Sequence, residues 1–358
     1  MRNVRYGTMI LLLVLLVQCG LSSFPALQTT AKAANGATGP QVVGNHIVDA
    51  HGHPLYFTGV SDSGLEYTCN PSYQVQLQPN QFALMRSWGI NTVRLPLSAP
   101  YWLNTNNSCP GYRTAVDRII GAAETAGLYV IASLAWISPF NGGYSGGAGY
   151  PMVDRREGVA FWTSFASTYS RNDRMLFELY SEPHDVSWSI WRNGGTIVTT
   201  DQRDRRVPGT YTAIGMQELA TLVHQYAPDR VALASGNEWG GDLTQAISSS
   251  ALTGSNIAYS VHLYPGPNSA SPTTWPSRFG NLAKAVPVIA TEFGQLDCGH
   301  NFIDEAMAYL ATATQGMVAW TWDTGDCGRP GILANYSGTP STYGAVIKAY
   351  FLRRTTHA

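Results

Sequence analysis

Eight short β-branched or apolar runs, separated by longer amphipathic stretches, follow the first forty residues of this chain. The runs begin at Leu55 (LYFTGV), Ile90 (INTVRL), Leu128 (LYVIASL), Met175 (MLFELY), Arg230 (RVALAS), Ile257 (IAYSVH), Pro287 (PVIATE) and Gly316 (GMVAWTW). Helical patterns lie over 81–88, 113–126, 157–169, 211–226, 302–314 and 342–352. Gly89, Gly127 and Pro228 follow three of them, as helix stops do. No Pro- or Ser-rich linker interrupts the series, and no G-x-G-x-x-G follows the first run. The pattern therefore predicts an α/β fold of the (β/α)8 (TIM) barrel type rather than a doubly wound sheet. Residues 43–49, just before Gly52, predict a short N-terminal β-hairpin ahead of the barrel.

The beginning of the chain reads differently. Arg2 and Arg5 precede an apolar run over 9–17, too short to span a bilayer but suited to a secretory signal. Ala31-Lys32-Ala33 offers a small-residue cleavage site, so a signal peptide over 1–33 and a secreted protein are expected. A short segment over 34–42 and one catalytic domain over 43–358 follow. Cys19 is a candidate for a lipid anchor, although Gln18 is a poor residue before a lipidated cysteine. Four cysteines remain after the leader, an even number for an oxidising compartment. They allow three pairings, of which the loop-local one joins Cys69 to Cys109 and Cys298 to Cys327. Zinc is the rival reading, but the chain has neither C-x-x-C nor H-E-x-x-H.

Charge narrows the partner. Only 13% of residues are charged and the net charge is −1, so no cationic face for nucleic acid is expected. With 10 Trp and 19 Tyr, the composition suits a neutral polar partner better than a polyanion.

Reacting groups of a (β/α)8 barrel stand at the C-terminal ends of its strands. Those ends carry Ser63-Gly64-Leu65-Glu66-Tyr67, then Arg94, Leu134-Ala135-Trp136, and Ser181-Glu182-Pro183-His184. Asn237-Glu238-Trp239, His262-Leu263-Tyr264, Thr291-Glu292-Phe293-Gly294 and Trp320-Thr321-Trp322-Asp323 complete the series. Two carboxyl groups, Glu182 and Glu292, thus face each other across a barrel mouth ringed by Arg94, His262, Tyr264 and several indoles. That inventory suits cleavage of a glycosidic bond by a carboxyl pair.

From Gly44 to about Tyr350 the sequence resembles glycoside hydrolase family 5, cellulase-like retaining β-glycosidases of clan A. Glu182-Pro183 after the fourth strand and Glu292-Phe293-Gly294 after the seventh carry the resemblance most specifically. It implies that Glu182 is the acid/base and Glu292 the nucleophile of a double displacement on a β-linked glycan, a β-glucan or β-mannan. It also places Arg94, His262, Tyr264 and Trp320 around the sugar at the cleavage point. Two positions depart from the family pattern: Ser181 stands where Asn is usual before the acid, and Ala135 where His is usual before Trp136. No metal or other cofactor is expected, and the protein is expected to be a monomer without an obligate protein partner. A catalytically weakened carbohydrate-binding protein on the same barrel is the alternative.

Other features have plainer readings. Trp136, Trp239 and Glu238 are candidate sugar subsites or else loop packing, and Glu66 reads as a local loop cap. Trp322 shares a strand face with Trp320, so periodicity leaves the choice between those two indoles open. Arg94 is also placed to pair with Glu178, four residues before Glu182. Gly143-Tyr144-Ser145-Gly146-Gly147 fits G-x-S-x-G but lacks the strand-to-helix turn of a nucleophile elbow. His46, His51 and His53 are expected at the surface.

Overall fold

The computed structural model describes residues 38–70, 74–138, 149–199, 209–266, 271–297, 299–325 and 330–355. A hairpin of β1 (Gln41–Val43) and β2 (His46–Val48) comes first, followed by β3 (Phe57–Ser61), α1 (Pro79–Ser87) and β4 (Thr92–Ser98). Then come α2 (Ala99–Trp102), α3 (Tyr112–Thr125), β5 (Tyr129–Trp136), α4 (Arg155–Thr168) and β6 (Met175–Glu178). The next group is α5 (Trp188–Asn193), β7 (Gly195–Thr199), β8 (Gly209–Ala213) and α6 (Met216–Tyr226). Strands β9 (Val231–Ser235), β10 (Ile257–Leu263) and β11 (Val288–Phe293), helix α7 (Asn301–Ala313), strand β12 (Gly316–Ala319) and helix α8 (Thr342–Thr355) close the chain.

Strands β3, β4, β5, β6, β9, β10, β11 and β12 pair in parallel, in that order, and β12 returns to β3 to close the barrel. All eight predicted strands are present. The helices follow from spacing: α6 buries Met216, Leu219, Ala220 and Val223, an i, i+3, i+4, i+7 stripe. Helix α4 begins earlier than the predicted 157 because Asp154 caps it, accepting the Glu157 N–H at 3.0 Å.

Two local expectations are corrected. The predicted helix over 211–226 is helical only from Met216, because residues 209–213 form β8 and pair antiparallel with β7. Thr210 and Thr212 face water while Tyr211 and Ala213 are buried, a period of two that a helix cannot serve. Gly215 then allows the turn, since a Cβ there would lie 2.3 Å from the Arg192 carbonyl oxygen. The hairpin lies over 41–48 instead of 43–49 and turns at Gly44, whose φ is +61°.

The barrel interior is filled in two layers. Near the strand starts, Phe57, Ile131, Leu176, Val231, Leu233, Ala258, Ile289 and Val318 form an apolar layer, and Ile47 of the hairpin packs against it. Thus the hairpin stoppers the end of the barrel opposite the mouth. A larger apolar cluster fills the space between the strands and the surrounding helices.

Cys69 and Cys109 form a disulfide between the loop after β3 and the loop before α3. The Cys298–Cys327 pairing, the leader with Cys19 and the Ser145 loop lie outside the described residues. The bridge spans 40 residues of chain, so replacing both cysteines by serine should cost about 2–4 kcal/mol. The check is denaturant unfolding of the oxidised protein and the double variant; coincident midpoints would show that the bridge contributes nothing.

Candidate active site

Two residues beyond the apolar layer, the same strands turn polar on their inner face: Ser133 follows Ile131, Glu178 follows Leu176, and Ser235 follows Leu233. Likewise Ser260 follows Ala258 and Thr291 follows Ile289, all fully buried. Arg94, on the neighbouring β4, is buried at the centre of this layer. Its Nε donates to Glu178 at 2.6 Å, Nη1 to Ser61 at 3.3 Å and Glu292 at 2.6 Å, and Nη2 to Ser133 at 3.0 Å and Ser181 at 2.7 Å. A guanidinium has five N–H donors, and all five are used. Arg94 therefore pairs with both Glu178 and Glu292. Burial works against the Glu178 charge, but Arg94 and then His262 outweigh it and hold this carboxyl below the usual range.

A β-bulge brings the remaining groups together. From Val261 to His262 on β10 is one residue, while their partners on β11 step from Ala290 to Glu292. Toward β12 the same stretch, Ala290 to Phe293, faces only Met317 to Ala319. One extra residue in β11 thus breaks the alternation, so consecutive side chains both reach the barrel axis. Thr291 donates to Glu178 at 2.6 Å, while Glu292 meets Arg94 and accepts the Tyr264 hydroxyl at 2.8 Å. The β4–β5 register shifts similarly, Leu97 facing Leu134 and Ser98 facing Trp136, and both Ala135 and Trp136 line the cleft.

These contacts locate a proton. Thr291 has one hydroxyl hydrogen and gives it to Glu178, so its oxygen accepts from His262 Nε2 at 3.1 Å. His262 Nε2 therefore carries hydrogen, and Nδ1 faces Glu182 Oε1 at 3.0 Å. A second proton must sit on that axis, on imidazolium or on the Glu182 acid. Burial lowers the His262 pKa, yet Glu292 and Glu182 outweigh burial and raise it overall. For Glu292, burial pushes the carboxyl above its ordinary value; His262, Arg94 and Tyr264 pull down, and Glu182 adds to the rise. Tyr264 and Arg94 both bond Glu292 without overcoming its desolvation.

Ligand atoms of Glu182, His262 and Glu292 lie within 4.8 Å of one another. Among the described residues this trio alone has metal-ligand spacing, but Arg94 already sets a full positive charge against it, which disfavours a second cation.

Above the trio opens a cleft of about 480 Å³, lined by Glu182, Glu292, Ser181, Tyr264, Trp136 and Trp320 among others. Arg94 and His262 lie beneath its floor. The structure separates the two indoles that periodicity left open: Trp320 lines the cleft, whereas Trp322 is buried, donates to Gln81 at 3.0 Å and packs edge-on against Trp88. Among the described residues Trp239 is not part of this cleft's lining. Glu238 and Trp239 turn through positive φ, and the Trp239 ring packs on His184, their centroids 3.6 Å apart. Tyr67 and Tyr180 also line the cleft, and strand-end patterning alone singles out neither. Tyr67 belonged to the first strand-end series, and its 39% exposure is the signal that only tertiary structure supplies. His46, His51 and His53 are exposed.

Together these features define a parallel (β/α)8 barrel with a buried-arginine, paired-carboxyl site at its mouth. The cellulase model, glycosyl hydrolase family 5, matches residues 48–326, and the chain belongs to that family. An endoglucanase of Microbulbifer sp. is 24% identical over 84% of this chain and 53% of its own length. Endoglucanase E-5 of Thermobifida fusca is 23% identical over 82% of this chain and 57% of its own. The chain thus spans little more than half the length of these curated relatives. In structure, a β-glucanase of Saccharophagus degradans superposes with a TM-score of 0.69 at 22% identity, covering 88% of this chain and 93% of that one. The same β-glucanase has also been solved in complex with cellotetraose.

Replacing Arg94 by Met would leave Glu178 and Glu292 without their cation, and such breaks cost about 3–5 kcal/mol. Urea unfolding should show that loss. Stability within about 0.5 kcal/mol of the wild type would refute the central place given to this guanidinium.

Proposed function

We propose that this chain is a retaining glycoside hydrolase that cleaves a β-linked glucan by double displacement, with Glu292 as nucleophile and Glu182 as acid/base. The observation that carries the reading is the pair of carboxyl groups, with oxygens within 4.8 Å, close to the roughly 5–5.5 Å that direct nucleophilic attack favours over an intervening water. In the first step a Glu292 oxygen bonds to the anomeric carbon as the glycosidic C–O bond breaks, and the leaving oxygen takes the proton from Glu182. In the second, Glu182 removes a proton from water, which attacks the same carbon and releases Glu292.

The proton on the Glu182–His262 axis supports this assignment, because the acid needs a proton at neutral pH and the 3.0 Å contact with His262 Nδ1 holds one between the two groups. Arg94 and Tyr264 orient Glu292 toward the cleft. Trp320 offers a flat apolar face to a pyranose ring, and Ser181, held by Arg94, presents a short hydroxyl in place of an amide. The preference for glucan over mannan rests on the endoglucanase relatives and on the cellotetraose complex of the structural neighbour. Export through a leader ending near Ala33, with the catalytic domain over 43–358, belongs to the same reading. The Cys69–Cys109 bridge supports it, since disulfides persist in oxidising compartments. A neutral polysaccharide substrate and a monomeric state are further parts of the proposal; cleavage near Ala33 removes Cys19 with the leader, so the lipid anchor is not part of it.

Glu182→Gln should slow hydrolysis of oligosaccharides by about 10²–10⁴-fold, and far less for aryl glycosides whose leaving groups need no proton. Glu292→Gln should abolish turnover while oligosaccharide binding persists, and a 2-fluoro glycoside should label the peptide holding Glu292. Turnover that survives Glu292→Gln, or labelling elsewhere, would refute the mechanism.

The pH profile provides a second check. Glu292 reacts ionised, and Tyr264 lowers its raised pKa through a hydrogen bond. Tyr264→Phe removes that pull, so the acid limb of kcat/KM should move to higher pH. A limb that stays in place would deny Tyr264 this role.

A further inference from the structure

Glu66, in the loop after β3, takes no part in the reaction described above. It is only 5% exposed, yet it lines the cleft beside Tyr67 and Trp136, whose ring centroids lie 6.2 Å apart. Its Oε2 accepts the Gly64 N–H at 2.7 Å, the local cap that the sequence suggests. A cap of this kind uses one of about four lone-pair positions on a carboxylate. The charged and titratable groups around Glu66 are Asp62 at the end of β3, Arg94 on β4, Glu292 on β11, the adjacent Tyr67, and Asp323 beyond Asp62. Asp62 is fully buried, and among the described residues neither of its oxygens has a hydrogen-bond partner.

We propose that Glu66 is a sugar-binding residue: its carboxyl accepts a hydroxyl of the sugar unit lying against Tyr67 and Trp136, which fits the cleft to uncharged glycans and against anionic ones. This rests on the reading of the cleft as a β-glucan site. A hydroxyl donating to a carboxylate is a charge-assisted bond, roughly twice as strong as a neutral one. An anionic sugar would instead meet Glu66, Glu182 and Glu292, with Arg94 already engaged below the floor. Burial pushes Glu66 up to about 7, opposed by its backbone N–H bonds and Arg94 and reinforced by Glu292. The charge that holds the sugar is therefore present above that pH and lost as pH falls through it.

The experiment measures cellotetraose binding by calorimetry between pH 6 and 8 on Glu182→Gln protein, with Glu66 intact and with Glu66→Gln added. Glutamine keeps an oxygen for the Gly64 N–H, so the loop cap survives. Intact Glu66 should bind about tenfold more tightly at pH 8, the size of one hydrogen bond to a charged group, and lose most of that advantage by pH 6. In otherwise wild-type protein, Glu66→Gln should also narrow the preference for unsubstituted over carboxymethylated cello-oligosaccharides. Equal affinities with equal pH dependence would overturn the proposal and leave Glu66 a cap, while the β-glucan reading stands. Failure of Glu182→Gln protein to bind cellotetraose, with no cleavage by the wild type, would overturn both.

Discussion

Arg94 bonds five acceptors at the centre of the barrel, and the groups at the mouth take their places from it. An unpaired guanidinium there would be prohibitive to desolvate, so its neighbours must supply charge and lone pairs. Glu178 answers directly and is itself bonded by Ser260 at 2.8 Å and Thr291 at 2.6 Å. Glu292 is the second anion on the same cation, held from one side by Arg94 and from the other by Tyr264. The polar layer is thus a closed set of donors and acceptors, with Glu292 reaching its cleft side. Such a set fixes orientation more tightly than apolar packing would, because each bond has a preferred direction.

Proton placement follows from the same set. Thr291 spends its hydrogen on Glu178, which obliges His262 to donate from Nε2 and leaves Nδ1 facing Glu182. The chain from Arg94 through Glu178 and Thr291 to His262 therefore reaches the carboxyl proposed to protonate the leaving group. A residue with no contact to substrate, Thr291, sets which nitrogen carries hydrogen.

Much of this was legible in the chain. The eight strands stand where β-branched runs recur, because alternation of size and polarity is a local property of a strand. That Arg94, Glu182, His262, Tyr264 and Glu292 stand together at one end is legible because a barrel presents its strand ends on one side. Trp320 and Trp322 were not separable, since a period of two gives both the same face; the chain leaves that alternation after β12, and only Trp320 stays in the cleft. The β7–β8 ribbon is not legible in the chain, because residues 211–226 carry a helical stripe from Met216 onward that masks the short strand before it. Trp239 was placed at a strand end in sequence, but two residues of positive φ turn its ring onto His184.

The chain by itself determined the barrel and the roster of residues at its strand ends, since both follow from short-range patterns of size, polarity and turn chemistry. Tertiary structure alone decided how that roster is joined. The bulge in β11 exists only as a mismatch with the registers of β10 and β12, and it brings Thr291 and Glu292 to the axis together. Without it, alternate residues would face opposite sides of the sheet, and with Thr291 on the axis Glu292 would turn away from Arg94 and Tyr264. The wall position of Glu66 has the same origin, because it depends on where the loop after β3 meets β4 and β11 in space.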